Sequence, residues 1–103
     1  MRLPMMLTFR HIERSPTLEA QAHELGSRLE QLGQRITECR MTLEGPADGT
    51  RRSTPYQVTI DLALPNARIH AESLHHDSTG HDGIYPAMRA AFNNAKRQLM
   101  ELH

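Results

Sequence analysis

A chain of 103 residues has the length of one ordinary domain, and we expect residues 1–103 to form a single domain. Its 12 basic and 12 acidic residues leave no formal net charge, and 38% of its residues are hydrophobic, which argues against a disordered or a membrane-embedded protein. The only cysteine, Cys39, cannot form an intramolecular disulfide, and the apolar start of the chain is too short for an export signal. We therefore expect a cytoplasmic protein that contacts no membrane.

The first third of the chain predicts a strand followed by a helix. In LTFRHI, residues 7–12, apolar and polar side chains alternate, which is typical of a strand covered on one face. Ser15 is a typical N-cap, Pro16 suits the first helical position and Gly33 suits the exit. Gly26 is the weak point of this helix, because glycine in a helix interior costs about 1 kcal/mol. The predicted apolar stripe consists of Leu18, Ala22, Leu25, Leu29 and Leu32.

Three more strands and a second helix are predicted after it. The second strand ends at Gly45-Pro46, and the stretch after it has the composition of a loop. YQVTIDLAL, residues 56–64, is the clearest strand, and Pro65-Asn66 forms a turn into ARIHAES, residues 67–73. Helical spacing returns in residues 84–103, with Pro86 in the first turn. The side chains predicted to point inward from strands two to four are Cys39, Met41, Leu43, Tyr56, Val58, Ile60, Leu62, Leu64, Ile69 and Ala71.

The resulting order, β-α-β-β-β-α, predicts an α+β fold. We expect a two-layer sandwich in which a four-stranded mixed sheet has a polar outer face and carries both helices on its inner face. Strands two, three and four should run antiparallel through short connections. The first helix is a crossover, so strand one should lie parallel to strand two.

The segment HHDSTGHD, residues 75–82, raises the question of a metal site. His75, His76 and His81 are weak candidate ligands, because adjacent histidines on an extended chain point to opposite sides. We prefer to interpret the segment as a turn-rich connector, and a small metal-binding protein remains an alternative. No nucleotide-binding glycine motif is present, and Ser27 replaces the second histidine of an HExxH motif. We therefore predict no catalytic residues, no cofactor and no small-molecule substrate.

Basic residues are the other candidates for function. Arg89, Lys96 and Arg97 share a side of the predicted second helix, and Arg28 and Arg35 repeat the seven-residue spacing on the first. The loop after strand two carries Arg51 and Arg52. Three further arginines point outward from strands, namely Arg10, Arg40 and Arg68.

Several stretches together resemble a known family. They are TFRH in strand one, SPTLEA at the start of helix one, ITECRMTLEGP, YQVTIDLALP, and DGIYPAMRAAFNNAKRQL in helix two. With this order of elements the chain resembles the ribosome hibernation-promoting factor and ribosome-associated translation inhibitor family, also called the sigma-factor modulation protein family. The resemblance extends from about Leu7 to Leu102, and we expect a short form without a second domain.

The resemblance implies a fold related to double-stranded-RNA-binding domains and a non-catalytic protein on the small ribosomal subunit. Such a protein would inhibit translation under stress by occupancy, with basic side chains on ribosomal RNA phosphates. The candidate contacts are then all the basic residues named above, on both helices, the strands and the loop. Family members usually carry several lysines on helix one and are basic overall, whereas this helix is slightly acidic and the chain is neutral. A protein-binding module that keeps the same fold is therefore the alternative.

Overall fold

The computed structural model describes residues 5–32, 35–45, 56–75 and 84–102. They form four strands and two helices in the predicted order. The strands and helices are β1 (Met5–Arg10), α1 (Pro16–Glu30), β2 (Glu38–Glu44), β3 (Tyr56–Leu64), β4 (Ala67–His75) and α2 (Ile84–Met100). None of the helices in these residues is both long and apolar enough to cross a bilayer.

The sheet has the strand order β1-β2-β3-β4. β1 pairs parallel with β2, and the remaining neighbours pair antiparallel. This confirms the predicted mixed sheet. The tight Pro65-Asn66 turn sets the register between β3 and β4, so that Leu64 lies opposite Ala67 and Asp61 lies opposite His70.

Both helices pack on one face of the sheet, which confirms the predicted α+β layers. The inward side chains of β2, β3 and β4 form the core with the apolar stripes of the helices, because alternation along a strand and a 3.6-residue period along a helix each gather apolar groups on one side. The fully buried large side chains are Leu29, Met41, Leu43, Val58, Ile60, Leu62, Ile84, Met88 and Leu99.

The N-terminus of α1 and its internal glycine show how the helix begins and how it packs against β1. The Ser15 side chain caps the first turn by accepting a hydrogen bond from the Leu18 N–H at 3.1 Å, and Pro16 follows as predicted. Gly26 is buried, and the end of the Met5 side chain from β1 occupies the space that a Cβ atom would need. The missing Cβ atom thus leaves room for the Met5 side chain against α1, which offsets part of the low helix propensity of glycine.

Three predicted boundaries were wrong. Strand one covers Met5–Arg10 rather than residues 7–12, because His11 adopts a φ of 54° and ends the extended chain. The first helix ends at Glu30, where Gln31 turns its N–H back to the carbonyls of Ser27 and Arg28, so the helix stops before Gly33. β4 extends two residues beyond the prediction, and the backbone of His75 is therefore paired with Tyr56 rather than part of a loop.

Candidate RNA-binding surface

The exposed side of α2 carries three cations and no anion. We call it the α2 basic face and define it by the exposed residues of that helix: Arg89, Ala90, Asn93, Lys96, Arg97 and Met100. Neither Asp nor Glu occurs between Ile84 and Met100. With a rise of about 1.5 Å per residue, Arg89 and Arg97 lie roughly 12 Å apart along the helix axis. The face is a short positive stripe of slightly more than two turns.

The buried side of α2 fixes the direction in which these cations point. Six residues at helical spacing are buried against β3 and β4, so the helix cannot rotate without exposing them. Three of the six are alanines, which let the helix axis approach the sheet closely. The buried residues are Ile84, Ala87, Met88, Ala91, Ala95 and Leu99.

Hydrogen bonds fasten the C-terminal half of α2 to β4. The Gln98 side-chain amide donates to the His70 carbonyl at 3.0 Å and to the Asn94 side-chain oxygen at 3.1 Å. The same oxygen accepts from the Arg97 guanidinium at 3.0 Å. Arg97 therefore lies against a neutral amide rather than a carboxylate. Within the part of the chain that the structure describes, Arg89 and Lys96 form no ion pair either.

The cations predicted for helix one are not part of a comparable face. Arg28 on α1 forms an i,i+4 ion pair with Glu24 at 2.9 Å, and Glu19 and Glu30 add further negative charge to that helix. The placement of Arg35 on helix one was wrong, because α1 ends at Glu30 and Arg35 lies exposed in the segment before β2. Helix one thus contributes a locally neutralised surface.

The arginines predicted to point outward from the strands do lie exposed on the outer face of the sheet, but among anions. Arg40 forms an ion pair with Glu38 at 2.9 Å and lies opposite Asp61 on β3. Arg10 lies opposite Glu44 on β2. Arg68, on the edge strand β4, has no ion pair among the described residues. The outer face is a mixed-charge surface.

Asp61, His70 and Glu72 form a cluster that the sequence analysis did not predict. The Nδ1 atom of His70 lies 2.5 Å from a carboxylate oxygen of Asp61, and its Nε2 atom lies 3.0 Å from one of Glu72. These hydrogen bonds, first to Glu72 and then to Asp61, raise the pKa of His70 above its usual value. Both ring nitrogens face carboxylates, which suits the doubly protonated imidazolium. Only the β3–β4 register, set by the turn at 65–66, brings Asp61 and His70 together.

Metal binding and nucleophilic chemistry can be judged for the described residues from two observations. No group of three His, Cys, Asp or Glu side chains in that part of the chain is arranged to hold a metal ion. Burial, followed by the negative charge of Asp61, raises the pKa of the Cys39 thiol to about 11, so this side chain stays a protonated, unreactive thiol at neutral pH. The positions predicted for Arg51, Arg52, His76 and His81, and the side chain of His75, lie outside the described residues.

Comparison with known proteins gives consistent results. Residues 5–103 match the family model described as "Sigma 54 modulation protein / S30EA ribosomal protein". A ribosomal subunit interface protein from Coxiella burnetii has a similar structure, with 15% sequence identity, a TM-score of 0.72 and 96% of each chain covered. The Protein Y N-terminal domain of Thermus thermophilus is similar as well, with 16% identity, a TM-score of 0.71 and 96% of each chain covered. A search of curated proteins found no match.

The two solved structures share the fold with this chain, and the family match covers all but its first four residues. The fold predicted from the periodicity of the sequence and the family predicted from its resemblance are both confirmed. The chain therefore belongs to the Sigma 54 modulation protein / S30EA ribosomal protein family.

Proposed function

We propose that this protein is a non-catalytic hibernation factor that binds the small ribosomal subunit through RNA phosphates and blocks translation by occupancy. The family match and the two structural neighbours, one named a ribosomal subunit interface protein, support an association with the ribosome. The α2 basic face is the main phosphate contact in this proposal. Arg89, Lys96 and Arg97 would each replace a condensed counterion of the RNA, and the counterions released supply most of the binding free energy.

One observation carries this assignment: among the cations of the two helices, only those on α2 are free of carboxylate partners within the described residues. An ion-paired arginine gains little from a phosphate, because it must first give up its carboxylate. The local charge of the α2 basic face is positive although the chain as a whole is neutral. A neutral protein can therefore still present one surface that RNA attracts.

The experiment compares two triple variants in co-sedimentation with purified small ribosomal subunits at low salt. The first, Arg89→Ala/Lys96→Ala/Arg97→Ala, removes the cations of the α2 basic face, and we expect at least a tenfold loss of affinity. All three side chains are exposed, so the free energy of unfolding should stay within about 0.5 kcal/mol of the wild type.

A charge-matched control is available in the same chain. The variant Arg14→Ala/Arg28→Ala/Arg40→Ala removes the same number of positive charges, but from arginines that are ion-paired with Glu19, Glu24 and Glu38. We expect this control to lose less than threefold in affinity. Equal losses in both variants would mean that only net charge matters, and an unchanged α2 variant would remove that helix from the contact.

A protein partner is the second candidate, and the outer face of the sheet is the observation that favours it. Cations and anions alternate across its strands, as in the Arg40–Glu38 pair and the Asp61–His70–Glu72 cluster. A surface of mixed charge can recognise a protein partner of complementary charge, whereas it has little affinity for a uniformly negative phosphate backbone. Absence of binding to small subunits at low salt would move this candidate to first place.

A further inference from the structure

The two edges of the sheet differ in how well they are covered. At β4 the helix α2 lies over the strand, and the inward residues Ile69 and Ala71 are buried. Gln98 reaches the edge and donates to the His70 carbonyl, so one of the outward backbone acceptors already has a partner. Covering an edge strand in this way prevents other strands from pairing with it.

The β1 edge lacks these features within the residues that the structure describes. The inward side chains of β1, Met5, Leu7 and Phe9, are only half-buried, and on the outer face Met6 remains 57% exposed. From Met5 to Phe9 the strand carries no charged residue and no proline, the usual devices that protect an edge. Within the described residues, the uncharged Met5–Phe9 part of β1 thus has a neighbouring strand on one side only.

The backbone of β1 shows which groups are available. The Arg10 carbonyl accepts a hydrogen bond from the Gly45 N–H at 2.9 Å and therefore points toward the β2 side. Peptide groups alternate along a strand, so the N–H and C=O groups of Met5, Leu7 and Phe9 point to the unpaired side. These are also the residues whose side chains lie half-buried on the helix side of the sheet.

We propose that a second copy of this chain pairs with β1 as an antiparallel strand, about a two-fold axis at Leu7. In this register Leu7 lies opposite Leu7 of the second copy, and Met5 lies opposite its Phe9. On the outer face Met6 lies opposite Thr8. Every pair between residues 5 and 9 is apolar or neutral, so the strand is complementary to itself without a like-charge contact.

The alternative register, centred on Thr8, fits less well. It would place Met6 opposite Arg10 and would pair Met5 with His11. His11 has a φ of 54° and lies beyond the extended strand, so that pair cannot form ladder hydrogen bonds. The Leu7-centred register uses only residues inside β1.

The arrangement has two consequences. A two-fold axis perpendicular to the sheet keeps both helix layers on the same side, and the α2 basic face of each copy remains exposed, so pairing and RNA binding are compatible. The contact consists of one strand pair and a few side chains, which is smaller than a permanent interface. We therefore expect a dimer that forms reversibly and depends on protein concentration.

Sedimentation velocity of the full chain without ribosomes tests the proposal, and its outcome is independent of the proposed RNA contact. We expect the weight-average sedimentation coefficient to rise toward that of a dimer as protein reaches about 1 mM, the weak limit of specific association. The variant Met6→Lys/Thr8→Lys places lysines opposite each other at both ends of the strand pair. It should weaken association at least fivefold while circular dichroism stays unchanged.

Two further variants separate this interface from others. Met6→Glu/Thr8→Lys places opposite charges in the Leu7-centred register and should associate at least as well as the wild type. Leu74→Lys changes a residue that is 59% exposed at the other edge and should leave association unchanged. The proposal would be overturned by a wild type that stays monomeric at all concentrations or by loss of association in the opposite-charge variant. It would also be overturned if only Leu74→Lys lost association.

Discussion

Replacing Gly45 with alanine tests the way in which the end of β1 is joined to the end of β2. A Cβ atom at Gly45 would lie 2.5 Å from the His11 carbonyl oxygen and 3.2 Å from the Ile12 Cβ. The oxygen belongs to a backbone held by the positive φ of His11 and by the hydrogen bond from the Gly45 N–H to the Arg10 carbonyl. The neighbouring atoms cannot rotate away, so the two backbone segments must separate.

The size of the effect follows from three contributions. Overpacking a tight contact costs about 1–3 kcal/mol. Weakening the Gly45–Arg10 hydrogen bond costs about 0.5–1.5 kcal/mol. Reduced freedom of the unfolded chain returns about 0.4–1 kcal/mol. Together they give a net loss of about 0.5–4 kcal/mol in the free energy of unfolding, with a central value of about 2 kcal/mol. For a domain of this size the central value lowers Tm by roughly 8–16 °C.

Urea and thermal denaturation of Gly45→Ala measure this loss, and Gly26→Ala is the matched control. At Gly26 only the flexible end of the Met5 side chain stands in the way, and alanine gains about 1 kcal/mol of helix propensity. The control should therefore stay within about 1 kcal/mol of the wild type, since gain and displacement largely offset each other. A Gly45→Ala variant as stable as the wild type would refute the close backbone approach.

Two pH-related predictions concern His70 and Cys39. Because the folded-state pKa of His70 is raised, the cluster stabilises the fold below the unfolded pKa of histidine, and this contribution is lost as pH rises through the folded pKa. Histidine NMR titration should give His70 a midpoint above the usual 6.5. In urea denaturation, His70→Gln should lose more stability at pH 5.5 than at pH 8. Equal losses at both pH values would contradict a stabilising role for the cluster. The buried Cys39 thiol, with a pKa of about 11, should react with a thiol reagent at pH 8 only after unfolding, and prompt reaction of the folded protein would argue against its burial.

The layers of the fold could be predicted because each element repeats its own period. Alternation in β2, β3 and β4 identified the inward side chains, and Leu18, Ala22, Leu25 and Leu29 marked the buried stripe of α1. The same method failed at Leu32, which is only partly buried in the turn after the helix. Its spacing continues the apolar stripe past the end of the helix. Arg35 was misplaced in a similar way, because its seven-residue spacing from Arg28 suggested a helix that in fact ends at Glu30.

The candidate site was harder to predict from the sequence, because tertiary contacts decide which charged side chains pair with each other. The Arg28–Glu24 pair has an i,i+4 spacing that can be recognised in the sequence. This ion pair distinguishes the neutralised charge on α1 from the positive charge on α2. The Asp61–His70 contact depends instead on the register of β3 with β4. The half-covered inner side of β1 follows from its position at the edge of the sheet, which alternation alone does not reveal.

The salt dependence of binding to small ribosomal subunits tests the central proposal most directly. Co-sedimentation of the wild type and of Arg89→Ala/Lys96→Ala/Arg97→Ala should be measured from low to physiological salt. We expect the logarithm of the wild-type affinity to fall steeply with the logarithm of salt concentration, and we expect the variant's slope to be smaller by about two to three. Identical slopes, or no association at low salt, would contradict phosphate binding by the α2 basic face.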